Sequence, residues 1–158
     1  LKTILIGYGN PDRQDDGVAW HVLCAVAERL GLATPSSMDD EFPSSPDIDF
    51  LFQLQLTPEL SETVSGYARA CFVDAHTGAV PEEVHCQAVL AEFQKSPFTH
   101  HLTPQSLLSM SQAIYGKTPQ AILVSVRGYQ FGFTDELSGE TAVLVPRAAT
   151  EIMNWIQE

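Results

Sequence analysis

Two adjacent carboxylates, Asp15 and Asp16, follow the apolar run Thr3-Ile4-Leu5-Ile6 and the turn Gly7-Tyr8-Gly9-Asn10. Asp74 and His76 follow a second apolar run, Cys71-Phe72-Val73, and His100 and His101 stand just ahead of Thr103-Pro104. Two carboxylates and an imidazole form a mixed oxygen and nitrogen donor set suited to a first-row transition metal. A structural account competes with this one. Asp15 would cap a helix, Asp16 would meet its positive end, Asp74 would close a strand and the histidines would face solvent. Spacing alone favours the structural account, because no tight motif such as HExxH is present.

Other chemistries fit less well. Gly7 and Gly9 match the start of a dinucleotide fingerprint, but its third glycine would fall at Asp12, and three aspartates would repel a pyrophosphate. The turn is therefore suited to a cation. Ser109 and Ser111 lack a GxSxG elbow, which argues against a serine hydrolase. Cys71 sits in an apolar run and reads as core, as does Cys24 on the first helix. Trp20 and Trp155 read as helix packing, and His21 and His85 as surface residues.

The elements that must position these groups alternate between strand and helix. Strands are expected at 3–6, near 48–55, at 70–73 ending at Asp74, at 84–90 as an edge, and at 121–126. Helices are expected from Val18 to Leu30 and from Thr57-Pro58 to Ser65 with Gly66 as the stop. A third should begin at Thr103-Pro104 with Leu107, Leu108, Ser111, Ile114 and Tyr115 on one face, and a last at Val145-Pro146 with Ala149, Ile152, Met153 and Ile156 inward. Residues 33–49 are rich in Pro, Ser and Asp and read as a loop. This alternation predicts an α/β three-layer sandwich, a mostly parallel twisted sheet flanked by helices on both faces. In such sheets ligands bind beyond the carboxyl ends of the strands, so Asp15, Asp16, Asp74 and His76 should converge if their strands are neighbours.

A chain of 158 residues is expected to form a single domain over 1–158. The net charge of −12 argues against nucleic-acid binding, which needs clustered Lys and Arg. Three cysteines without CxxC spacing suit a reducing compartment, and no run is long enough to span a membrane. With a core strand at the start and no signal peptide expected, a cytoplasmic location follows.

In order along nearly the whole chain, the motifs resemble those of hydrogenase maturation endopeptidases. They are Gly7-Tyr8-Gly9-Asn10 with Asp15-Asp16-Gly17, Gln55-Leu56-Thr57-Pro58-Glu59-Leu60, Phe72-Val73-Asp74-Ala75, His100-His101-Leu102-Thr103-Pro104, and Arg127-Gly128-Tyr129-Gln130-Phe131-Gly132. That resemblance reverses the preference for the structural account. It implies a peptidase that removes the C-terminal extension of a nickel–iron hydrogenase large-subunit precursor once nickel is inserted, the nickel being the substrate's own. It implies a metal-recognising set of Asp16, Asp74 and His100, with His101 as the alternative histidine, and another divalent cation could substitute in vitro. Some members carry glutamate where this chain has Asp16. Asp16 and Asp74 are the expected catalytic residues, with Asp15 or Asp74 open as general base, and Tyr8 and Phe98 are candidate groove-lining residues. The expected partner is the hydrogenase large-subunit precursor, with no nucleic acid and no membrane. The alternatives are a nickel-binding or metal-sensing module without peptidase activity, and another peptidase on the same scaffold, similar to the germination proteases.

Overall fold

The computed structural model describes residues 2–92 and 102–158. His100, His101 and Phe98 lie outside them. Five strands, β1 (Thr3–Tyr8), β2 (Ile48–Gln53), β3 (Arg69–His76), β4 (Val84–Val89) and β5 (Gln120–Arg127), form one sheet in the order β2-β1-β3-β5-β4. All neighbours are parallel except β4, which pairs antiparallel with β5 at the edge. The helices are α1 (Val18–Arg29), α2 (Leu60–Ser65), α3 (Pro104–Tyr115), the short α4 (Gly139–Ala142) and α5 (Val145–Ile156).

Alternation along the strands divides the core between the two faces. Leu5, Cys71, Val73, Ile122 and Val124 pack under α1 and α5, with Val22, Leu23, Val26, Ala149 and Ile152. Ile4, Ile6, Ala70, Phe72 and Leu123 turn the other way, toward Leu60 and Val64 of α2 and Leu107 and Leu108 of α3. These two layers around a mostly parallel sheet make the expected three-layer sandwich. Arg69, at the start of β3, lies 3.9 Å over the Trp155 ring and donates to the carbonyls of Trp155 and Ile156. That cation satisfies orphan carbonyls and opposes the negative end of the α5 dipole.

Several boundaries depart from the sequence reading. β3 does not stop at Val73 but continues to His76, because β5 pairs with it as far as Arg127. β2 ends at Gln53, so Leu54, expected inside the strand, is 61 % exposed while Leu56 packs under α2. Ile114 and Tyr115, expected on one face with Leu107 and Leu108, are exposed where those two are buried. The partner of α3 is α2, only six residues long, and the last turn of the twelve-residue α3 runs past it. Of the three cysteines, Cys71 alone is fully buried; Cys24 is half-buried, and Cys86 is exposed on the edge strand. His21 is not an ordinary surface residue, since its Nε2 is buried without a partner among the described residues and burial pulls the imidazole pKa down.

Candidate active site

From β1 the chain turns outward to β2, then returns across β1 to β3, so the strand order reverses between β1 and β3. A reversal of this kind opens a crevice at the carboxyl ends of the strands. The last β1 residue paired with β3 is Gly7, opposite Val73. Asp74 is therefore the first β3 residue without a β1 partner, and it sits at the crevice wall. A cavity of about 510 Å³ lies there, lined by Tyr8, Gly9, Asn10, Asp16, Asp74 and Ala75, together with Leu54, Gln55, Leu56 and Leu102. Leu102 is the first described residue after the segment that contains His100 and His101.

A compact turn carries Asp16 to this cavity. The Asp16 Oδ2 accepts the Asn10 N–H at 2.7 Å, and a 3-10 turn over Gln14–Gly17 leads directly into α1. Both limbs of the turn need glycine. Gly9 has φ +144, and a Cβ there would fall 2.0 Å from the Asp16 carbonyl oxygen; a Cβ at Gly17 would lie 2.6 Å from Pro11 Cα. Gly9, one of the two glycines that resemble a nucleotide loop, instead joins Gly17 in letting the backbone cross itself and present a carboxylate.

The neighbouring carboxylate goes elsewhere. Asp15 is fully buried, and its Oδ2 accepts the Tyr129 and Gln130 N–H groups, both at 2.8 Å, the Ser138 hydroxyl at 2.6 Å and the Thr141 hydroxyl at 2.9 Å. Its Oδ1 accepts the Ser138 N–H at 2.8 Å. Burial pushes this carboxyl up, but the bonds from Ser138, Gln130 and Tyr129 outweigh it and hold the pKa below the ordinary value. Asp15 thus ties the acidic turn to the segment after β5 and to the N-terminus of α4. It does not cap α1, whose N-terminus has no side-chain cap. The Gln14 side chain adds to the tie, accepting from Gly132 N–H at 3.0 Å, and Arg13 donates to the Phe131 carbonyl at 2.8 Å.

Asp74 is held by hydroxyls. Ser125 on β5 donates to Oδ1 at 2.6 Å, and Tyr8 at the end of β1 donates to Oδ2 at 2.9 Å. Burial raises the Asp74 pKa, with the Asp16 charge adding to it, against the lowering effect of the Ser125 and Tyr8 bonds and of His76. Burial and the Asp74 carboxylate together push the Tyr8 phenol far up, so it stays protonated and donates. Tyr8 does line the crevice as expected, and it also orients Asp74. Ser125 was not singled out by the sequence reading, although a lone hydroxyl in the buried run Ala121–Val126 was a readable signal.

His76 does not join the site. Its Nδ1 accepts the Gly78 N–H at 3.1 Å and its Nε2 lies 2.9 Å from the Glu82 carbonyl, so the ring closes the turn after β3. Among the described residues, no three His, Cys, Asp or Glu side chains cluster closely enough to hold a metal ion. Asp16 and Asp74 are brought to one crevice, Asp15 is turned away from it, and both His100 and His101 fall outside the described residues.

The fold is that of solved hydrogenase maturation endopeptidases. The hydrogenase maturating endopeptidase HybD from E. coli superposes with a TM-score of 0.72 at 14 % identity, over 99 % of this chain and 93 % of its own. The [NiFe] hydrogenase maturation protease HycI from Thermococcus kodakarensis KOD1 gives 0.64 at 21 % identity, over 99 % of this chain and 93 % of its own. The hydrogenase 2 maturation peptidase from Thaumarchaeota archaeon SCGC_AB-539-E09 gives 0.62 at 15 % identity, over 99 % and 98 %. No family model matches the sequence, and no curated protein matches it either.

Proposed function

We propose that this chain is an endopeptidase that removes the C-terminal extension of a nickel–iron hydrogenase large-subunit precursor. The observation that carries the reading is the convergence of Asp16 and Asp74 on one crevice, at the strand-order reversal of a fold shared with maturation endopeptidases. The nickel belongs to the substrate. Asp16, Asp74 and His100, with His101 as the alternative, recognise it, so that only a loaded precursor is held for cleavage. A Lewis acid at this place polarises a scissile carbonyl or acidifies an attacking water.

The residues of the chain have distinct tasks in this scheme. Asp16 has one oxygen held by Asn10 N–H, and its Oδ1 has no partner among the described residues, which leaves that oxygen for the substrate. Each Asp74 oxygen accepts a single bond and keeps a further lone pair for a substrate-borne cation or a water proton. Asp74, rather than Asp15, is the general-base candidate, because four of the five donors on Asp15 converge on one oxygen and the group has no exposed surface. The test is processing by folded variants. Asp16→Asn and His100→Ala should abolish release of the C-terminal peptide at unchanged thermal stability; undiminished cleavage by both would sink the assignment.

A further inference from the structure

β2 is an edge strand with its outer side unpaired. Its bonding parity follows from the ladder with β1, which continues at its ends through Thr3 N–H to the Asp47 carbonyl and Gly9 N–H to the Gln53 carbonyl. Odd-numbered residues of β2 therefore face β1, and Ile48, Phe50 and Phe52 turn their backbone N–H and C=O groups outward. The Ser45 hydroxyl occupies both groups of Ile48, at 3.0 and 2.7 Å. Those of Phe50 and Phe52 have no hydrogen-bond partner among the described residues. The loop alongside does not pair with them. Phe42 stacks on the Phe50 ring at 5.4 Å, and Asp39, Asp40 and Glu41 line a cleft of about 300 Å³ together with Phe50 and Phe52, the Asp40 Oδ2 accepting the Ser36 hydroxyl at 2.9 Å.

We propose that the outer edge of β2 docks an extended, basic peptide of the substrate, which adds to the sheet as a strand at Phe50 and Phe52 and runs into the crevice. Two unpaired rungs about 6.6 Å apart match alternate residues of an extended chain. The edge also leads to the right place, since Leu54, Gln55 and Leu56 directly after β2 line the crevice that holds Asp16 and Asp74. The other edge strand, β4, contributes nothing to that cavity. The three acidic residues that line the cleft make it negative, which fits Lys or Arg side chains on the peptide. Main-chain bonds supply affinity with little sequence demand, and the acidic cleft supplies selectivity.

This inference rests on the peptidase reading and fails separately from it. The probe is a synthetic peptide with the C-terminal sequence of a hydrogenase large-subunit precursor, added to the full chain while amide exchange is followed residue by residue. The Phe50 and Phe52 amides should slow at least tenfold, while Asp49 and Leu51, already bonded to β1, stay unchanged. Phe52→Pro removes an outward N–H without removing a ladder bond, and proline is tolerated at such edge positions. It should raise KM for the loaded precursor about tenfold at nearly constant kcat, whereas Phe52→Ala, which keeps the N–H, should change KM less. Cleavage by the wild type with unchanged Phe50 and Phe52 exchange would overturn the docking edge alone. No cleavage by the wild type would remove the peptidase reading and the docking edge with it.

Discussion

Replacing Asp15 by asparagine separates anchoring from catalysis. The side chain keeps its shape, but one oxygen becomes an amide donor. Placed at Oδ2, that donor would face four donors; placed at Oδ1, it faces only the Ser138 N–H, so the amide will settle there. The variant then loses one hydrogen bond to a charged acceptor, about 1.5–3 kcal/mol, and leaves a buried N–H unsatisfied, about 1–3 kcal/mol. Destabilisation of roughly 2.5 kcal/mol follows at the low end, equivalent to a Tm drop of about 5–10 °C for a chain of this size. Because the folded pKa is depressed, this stabilisation is full above the unfolded value of about 3.9 and is lost as pH falls through the folded one. Urea denaturation of wild type and Asp15→Asn at pH 7 and at pH 3 measures both effects. The stability gap should be wide at pH 7 and should narrow at pH 3. Equal stability at pH 7, combined with lost processing, would refute the anchoring argument and return Asp15 to the chemistry.

Asp74→Asn should behave in the opposite way. Its raised pKa means that the ionised carboxylate destabilises the fold at neutral pH, so the variant should match or exceed wild-type Tm in calorimetry while losing processing. For the same reason, wild-type kcat/KM should fall as pH drops through a value above the ordinary carboxylate range, and a profile flat down to pH 4 would contradict it. Tyr8→Phe keeps the ring but deletes the donor to Asp74, and a loss of about tenfold in kcat with intact folding is expected in steady-state assays. Gly9→Ala should cost roughly 2–3 kcal/mol or prevent folding, measured by denaturation, because its φ is +144 and the new Cβ meets the Asp16 carbonyl.

Much of the architecture was legible because burial pattern and chain direction leave few alternatives. The apolar runs at Ile4-Leu5-Ile6 and Cys71-Phe72-Val73 mark strands buried on both faces, and Thr103-Pro104 marks a helix start, where the Thr103 hydroxyl does accept the Ser106 N–H. Strand ends were less legible. The length of β3 is set by its partner β5, and a partner's extent cannot be read from the strand itself. The two adjacent carboxylates show the same limit at the site. Sequence marked Asp15 and Asp16 as a pair, but which one faces the crevice depends on Ser138 and Thr141, more than a hundred residues away. Tyr8 was assigned to a groove, and its bond to Asp74 became visible only when β1 and β3 were set side by side.

Incubating the chain with a hydrogenase large-subunit precursor, with and without inserted nickel, and measuring the mass of the precursor's C-terminus tests the peptidase reading. Release of a C-terminal peptide from the nickel-loaded form alone is expected. An intact loaded precursor in the presence of demonstrably folded protein would contradict it and would leave a metal-binding module without peptidase activity as the reading of the Asp16 and Asp74 crevice.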